Sequence, residues 1–180
     1  ASLMGGERVK GKAMEEAAAS KQIQVSEEDI VPVGIIGYGE WGREIASTLE
    51  RNEKVRIAGI SDNFPIMLTR AGRSHQGVKT FENYQDMLAD PEIPAIIVAT
   101  PSHLHKDIVI DALEAGKHVY CESPMATTIE DARAIADAAQ AATNQIFQVG
   151  LQYRINPQHR DVFQFIRSGA TGQPTYMRSQ

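Results

Sequence analysis

Cysteine is nearly absent from this sequence: Cys121 is the only one among 180 residues, so no internal disulfide can form. A chain without disulfides suits a reducing compartment, and cytoplasmic localisation is the default expectation. Long apolar runs are also missing, since none approaches the roughly 18 residues that a membrane-spanning helix needs. The first residues likewise lack the apolar segment of a signal peptide. The sequence therefore predicts no membrane partner.

Basic residues are in the minority, because 18 lysines and arginines stand against 23 aspartates and glutamates, for a net charge of -5. No cluster of basic residues stands out along the chain, which argues against a nucleic-acid partner. What is present is an ordinary globular composition, with 42% hydrophobic and 23% charged residues. A chain of this length builds one full domain and a little more.

The chain divides into three parts by its residue pattern. Residues 1–30 are polar, show no strand pattern and are expected to form a flexible N-terminal arm. Residues 31–150 alternate short apolar runs with amphipathic stretches, which predicts βαβ units and an α/β fold with a doubly wound parallel sheet. Residues 151–180 contain a helix-forming segment, PQHRDVFQFIRSG, and a strand-like segment, PTYMRSQ. So short a tail cannot make a second core, and we expect only the start of a second α/β domain or packing on the first.

Three glycines stand where the first apolar run meets the first helical stretch, in GIIGYGEWG at 34–42. Gly37, Gly39 and Gly42 fit the G-x-G-x-x-G pattern, and a position between strand and helix is the context that this dinucleotide-binding pattern requires. The first glycine permits a tight turn, the second lets a pyrophosphate approach the backbone, and the third allows close packing of helix and strand. Amides at the helix N-terminus would bind the phosphates. Three further residues of the turn are expected to lie beside the cofactor: Tyr38, Glu40 and Trp41.

An acidic residue, Asp62, lies 20 positions after Gly42, at the end of the second predicted strand. A carboxylate there accepts hydrogen bonds from the adenosine ribose hydroxyls, and its charge repels a phosphate at the 2′ position. The next residues are Asn63 and Phe64, so no adjacent arginine can hold such a phosphate. The expected cofactor is NAD, and NADP is the less favoured alternative.

Two longer stretches carry a family resemblance, ATPSHLHKDIVIDALEAGKHVYCESPMATTIEDA at 99–132 and VGLQYRINP at 149–157. Together with the glycine motif, they resemble the glucose-fructose oxidoreductase, inositol dehydrogenase and MocA family of NAD(P)-dependent oxidoreductases over residues 31–180. The resemblance implies a Rossmann nucleotide-binding domain and the entrance to a second, mostly antiparallel α/β domain. It also implies a small-molecule substrate and, for a full-length chain, a homo-oligomer.

The same resemblance implies where ligands would bind. Cofactor contacts are expected at Thr100, Pro101, His105 and Glu122, and substrate contacts at Tyr153 and Arg154. Relatives usually carry Glu-Lys-Pro after the fifth strand, with the lysine near the nicotinamide and the substrate hydroxyl. Here Ser123 occupies the lysine position. Ser123 is the candidate catalytic residue, although a serine hydroxyl donates only a neutral hydrogen bond and cannot supply positive charge.

A metal site is not expected from this sequence. His103 and His105 are two residues apart at the start of a helix, so they point in different directions and cannot chelate one ion as an i, i+4 pair would. Cys121 continues an apolar strand and is expected to be a buried, unreactive thiol.

Three functions remain open at this point. The first is an NAD-dependent oxidoreductase that moves hydride to or from a hydroxyl-bearing carbon of a sugar, polyol or related small molecule, a substrate class implied by the resemblance alone. The absent lysine motivates the second, a dinucleotide-binding sensor or structural protein without dehydrogenase turnover. The third, which the resemblance also allows, is NAD-assisted glycoside hydrolysis with no net redox change.

Overall fold

The computed structural model describes residues 29–151, 156–173 and 175–176. Its strands are β1 (Val31–Ile36), β2 (Val55–Ser61), β3 (Lys79–Phe81), β4 (Ala95–Val98), β5 (His118–Glu122) and β6 (Phe147–Gly150). Its α-helices are α1 (Glu40–Leu49), α2 (Pro65–Ser74), α3 (Tyr84–Leu88), α4 (His105–Glu114), α5 (Ile129–Ala141) and α6 (Pro157–Arg167). A turn of 3-10 helix at Ser102–Leu104 leads into α4.

The strands form one parallel sheet in the order β3-β2-β1-β4-β5-β6. The direction of winding reverses between β1 and β4, and ligands of such sheets bind at the carboxyl ends of the strands at that reversal. In register, Ile36 of β1 pairs with Ser61 of β2 on one side and with Val98 of β4 on the other. The residues that follow these three strands therefore leave the sheet side by side. The predicted doubly wound fold is confirmed.

Apolar side chains fill the space on both faces of the sheet. Beneath α3, α4 and α5 the core includes Met87, Ile96 and Val109. Beneath α1 and α2 it includes Ile35 and Ile60. Burying a side chain of this size contributes about 1.5–3 kcal/mol. Because the central strands are covered on both faces, they appear in the sequence as continuous apolar runs rather than alternating ones.

Local signals determine where the helices begin and end. The Thr128 hydroxyl accepts a hydrogen bond from the Asp131 amide at 3.1 Å and caps α5. After α4, Gly116 takes a left-handed conformation with φ of +77°, which ends the helix. The capping threonine and the glycine after the last turn thus set the start of α5 and the end of α4.

The remaining predictions concern the two ends of the chain. The expected arm at residues 1–30 and the strand-like segment at 174–180 lie almost wholly outside the described residues. The predicted helix in the tail is present as α6, whose Val162, Phe163 and Phe165 side chains are each more than half exposed. Within the part of the chain that the structure describes, no helix is both long enough and apolar enough to cross a membrane.

Candidate functional site

The glycine turn follows β1 at the centre of the sheet. Gly37 has a φ of +92°, a region that side chains other than glycine rarely adopt. Its amide donates to the Ser61 carbonyl oxygen at 2.8 Å, which ties the turn to the end of β2. A Cβ at Gly37 would lie 2.8 Å from the Ala99 carbonyl oxygen, so the turn also packs tightly against the end of β4.

The other two glycines have opposite surroundings. A Cβ at Gly42 would overlap the Gly37 carbonyl oxygen, so a side chain there is excluded by the close packing of α1 on the turn. A Cβ at Gly39 would meet nothing within 4 Å. Gly39 has an ordinary extended conformation, with φ of -67°, so neither strain nor a protein neighbour requires glycine at this position. The open space at Gly39 fits a ligand that approaches the backbone.

Amides at the start of α1 are available to that ligand. Gly39 is the N-cap of the helix and provides no side-chain cap. The first amides of a helix have no partner within the helix and carry the positive end of its dipole, so they bind anions such as phosphates. The chemistry of this turn therefore fits a pyrophosphate. Of the remaining turn residues, Glu40 lies exposed in the first turn of α1.

Asp62 is held beside the turn by two backbone amides. Its Oδ2 accepts from the Tyr38 amide at 2.8 Å and its Oδ1 accepts from the Phe64 amide at 2.9 Å. The residue is partly exposed, and each carboxylate oxygen retains a further lone pair. The carboxylate is thus oriented by the protein and still able to accept hydrogen bonds from a ligand.

The Tyr38 side chain points into the core and is 2% exposed. Its hydroxyl is 2.7 Å from Nε2 of His75, whose Nδ1 is 2.6 Å from the Glu50 carboxylate. Burial raises the pKa of Tyr38 above its usual value. The sequence did not predict this row of three polar side chains. Because the Tyr38 side chain is directed toward His75, the backbone of Tyr38, rather than its side chain, faces the turn.

The loop after β4 contains a buried polar atom without a partner. The Thr100 hydroxyl oxygen is fully covered and has no hydrogen-bond partner among the described residues. Such an atom costs free energy unless something satisfies it. Pro101 follows in the same loop and is exposed. Since this loop packs on the glycine turn, its residues border the same edge of the sheet as Asp62.

His105, the first residue of α4, is 1% exposed and lies beneath two loops. Its Nε2 is 2.8 Å from the Thr100 carbonyl oxygen and its Nδ1 is 3.1 Å from the Pro124 carbonyl oxygen. Both ring nitrogens therefore face backbone of the protein. The structure places His105 behind the loops that border the site.

The end of β5 brings Glu122 and Ser123 to the same edge. The Glu122 Oε2 accepts from the Ser123 amide at 3.2 Å, and Ser123 is exposed. Cys121 is fully buried, as predicted, and burial is the main cause that raises the pKa of its thiol to about 12. Tyr153 and Arg154 lie outside the described residues.

A cavity of about 860 Å³ lies against one face of the sheet. Trp41 and Leu49 of α1 line one side, and Val119 and Ile146 belong to the sheet side. Trp41 is 48% exposed. Of the predicted site residues that the structure describes, only Trp41 and Glu122 line this cavity, so it lies next to the glycine turn but is a separate feature. Among the described residues, no group of three or more histidine, cysteine, aspartate or glutamate side chains is arranged to hold a metal ion.

Comparison with known proteins identifies relatives of this arrangement. Residues 31–151 match the family described as "Oxidoreductase family, NAD-binding Rossmann fold", GFO_IDH_MocA. The chain is 32% identical over 140 residues to the rhizopine catabolism protein MocA of Rhizobium meliloti, covering 78% of this chain and 43% of that protein. It is 30% identical over 151 residues to an inositol 2-dehydrogenase of Rubrobacter xylanophilus, covering 82% of this chain and 43% of that protein.

Solved structures give the same result. The scyllo-inositol dehydrogenase of Lactobacillus casei, solved with bound cofactor NAD(H) and scyllo-inositol, superposes with a TM-score of 0.75 at 27% identity. The match covers 80% of this chain and 43% of that one. The chain thus spans less than half the length of the relatives that it matches.

Proposed function

The chain belongs to the NAD-binding Rossmann-fold oxidoreductase family of MocA and the inositol dehydrogenases, and on this basis we propose that it is the cofactor-binding part of an NAD-dependent dehydrogenase. Its substrate is a polyol, sugar or related small molecule, oxidised or reduced at a hydroxyl-bearing carbon. The observation that carries the proposal is the contrast between two glycines of the motif: packing requires Gly42, whereas no protein atom lies within 4 Å of a Cβ at Gly39, at the N-cap of α1, which leaves the backbone there open to a ligand. A turn that served packing alone would tolerate a side chain at Gly39.

Different residues bind different parts of the cofactor. The first amides of α1 bind the phosphates, and Asp62 accepts from the adenosine ribose with the lone pairs that Tyr38 and Phe64 leave free. The loop that contains Thr100 and the Glu122 carboxylate border the other half of the cofactor. When bound, the nicotinamide supplies the hydride chemistry, and the protein supplies position and electrostatics.

The cofactor preference gives the first test. We expect NADH to bind at least about tenfold more tightly than NADPH, a difference of about 1.4 kcal/mol, because the Asp62 carboxylate would face the 2′-phosphate. Isothermal titration calorimetry with both nucleotides measures it. Asp62→Asn retains an acceptor oxygen but removes the charge, so the preference should shrink in that variant. Tighter binding of NADPH by the unaltered protein would reverse the assignment.

A second candidate function rests on Ser123. This residue is exposed beside Glu122 and has no ammonium group to stabilise a developing alkoxide. This position motivates the less favoured alternative, a protein that binds the dinucleotide as a sensor or structural relative without turning over a substrate. Glycoside hydrolysis that retains the cofactor would be told apart by release of sugar with no net NADH.

Ser123→Lys separates turnover from binding. For the dehydrogenase, we expect a protein that includes the second domain to produce NADH steadily from at least one member of a polyol panel, and its rate to rise roughly tenfold or more in the lysine variant, since a general acid or base contributes about 10²–10⁴-fold. Absorbance of reduced nicotinamide reports the rate. Ser123→Ala is the control, because it removes the hydroxyl without adding charge. Activity in the lysine variant alone would favour the sensor.

We also propose an assignment of the chain's parts. Residues 31–150 are the cofactor domain, and 151–180 lead into a second domain that carries further substrate contacts, with Tyr153 and Arg154 among them. The exposed apolar side chains of α6 support this, since Val162, Phe163 and Phe165 would pack on a further segment. The proposed compartment is the cytoplasm, where the single thiol stays reduced.

A further inference from the structure

His105 connects two loops that are distant in sequence. The Thr100 carbonyl follows β4 and the Pro124 carbonyl follows β5, and the His105 ring lies between them at 2.8 Å and 3.1 Å. The ring is 1% exposed, so a ligand in the site cannot reach it. A buried ring that donates to one of these carbonyl oxygens and packs against the other fixes the spacing of the two segments.

The two ring nitrogens have different roles. A neutral imidazole donates from one nitrogen, and the shorter distance assigns that donor to Nε2, which faces the Thr100 carbonyl oxygen. The Cys121 Sγ lies 3.4 Å from Nδ1, and the thiol keeps its proton because burial raises its pKa, so it can donate there. His105 thus fills the space between the loops and donates to the Thr100 carbonyl oxygen.

The position of these loops relative to the cofactor follows from the fold. Phosphates bind at the turn after β1, and the adenosine ribose binds at Asp62 after β2. The remainder of a dinucleotide then extends in the other direction, across the ends of β4 and β5. The loops that His105 joins are the ones that flank the nicotinamide half.

We propose that His105 is a positioning residue that sets the separation of the Thr100 and Pro124 loops around the nicotinamide, without touching the cofactor itself. This inference rests on the proposed function. The bond from His105 supports it, because it holds the backbone of Thr100, the residue that follows Ala99 in the loop packed against the glycine turn. The adenosine half of the site has its own support in the bonds of Asp62.

Two ligands distinguish binding at the adenosine half of the site from binding at the nicotinamide half. ADP-ribose carries the adenosine, both phosphates and the second ribose, whereas NADH adds the nicotinamide. In His105→Leu, which fills similar space without hydrogen bonds, we expect the Kd for NADH to rise about tenfold, as for a lost buried hydrogen bond, while that for ADP-ribose stays within about twofold. The enhanced fluorescence of bound NADH should fall as well. His103→Gln, at the exposed neighbour, is the matched control and should change neither.

His105→Gln is the conservative variant. Its side-chain amide can donate to one carbonyl oxygen, so it should recover part of the NADH affinity. If circular dichroism shows that His105→Leu is unfolded, His105→Gln is compared with the unaltered protein instead. Equal weakening of both ligands, or no change in either, would overturn the positioning role. If the unaltered protein bound neither NADH nor ADP-ribose, the proposed function itself would fail, which is a different outcome.

Discussion

Gly39→Val is expected to abolish tight binding of NADH while the protein remains folded. The valine side chain would enter space that the protein leaves empty, where no described atom lies within 4 Å of a Cβ. A pyrophosphate needs that space to reach the amides of α1. We expect the Kd for NADH to rise at least about 100-fold, which corresponds to about 2.7 kcal/mol.

The effect on folding should be small, because Gly39 has φ of -67° and a branched side chain can adopt that conformation. Thermal unfolding followed by circular dichroism should place the variant within about 1 kcal/mol of the unaltered protein, the typical range for a change at an N-cap. Calorimetry with NADH then gives the change in affinity alone.

A matched control exists elsewhere in the chain. Gly72 lies in α2, and a Cβ there would also meet nothing within 4 Å. Gly72→Val therefore adds the same side chain to a glycine with open surroundings but outside the site, and it should leave the Kd unchanged. Retention of NADH affinity in Gly39→Val, or equal loss in both variants, would contradict a phosphate site at the turn.

The local pattern was sufficient to predict most of the fold. Continuous apolar runs separated by amphipathic stretches indicated a parallel sheet covered on both faces, and the glycine spacing identified the loop at its centre. The three-residue β3 was missed because it is short and its residues are at most partly buried, so no apolar run identifies it. This strand is identified only by its pairing with β2 at the edge of the sheet.

Contacts between distant residues could not be predicted from the sequence. The Tyr38 hydroxyl meets His75, 37 positions away, and His105 meets Pro124, 19 positions away. Each partner is fixed by the packing of helices on the sheet, about which a single sequence says nothing. A cofactor contact was expected for His105, but its ring nitrogens face the protein. The resemblance implied a position near the nicotinamide, which stays a prediction, and it left the protein partners of this residue open.

Gly42→Ala is expected to have the opposite outcome to Gly39→Val, with a large loss of stability. The added methyl group would overlap the Gly37 carbonyl oxygen, which is backbone and cannot rotate away as a side chain could. Relief requires α1 to move from the turn, and overpacking of this kind costs about 3 kcal/mol. For a chain of this size, that lowers the Tm by about 10 °C.

Thermal and urea unfolding of Gly42→Ala measure this loss without any ligand, so the result does not depend on the cofactor. Gly39→Ala is the control, since it adds the same methyl group three residues earlier in the same turn and should leave the Tm nearly unchanged. The pair separates two reasons for glycine within one motif: Gly42 is required by the fold of the empty protein, and Gly39 by the ligand. A Tm for Gly42→Ala equal to that of Gly39→Ala would mean that α1 has room to shift, and the tight packing argued for Gly42 would then be wrong.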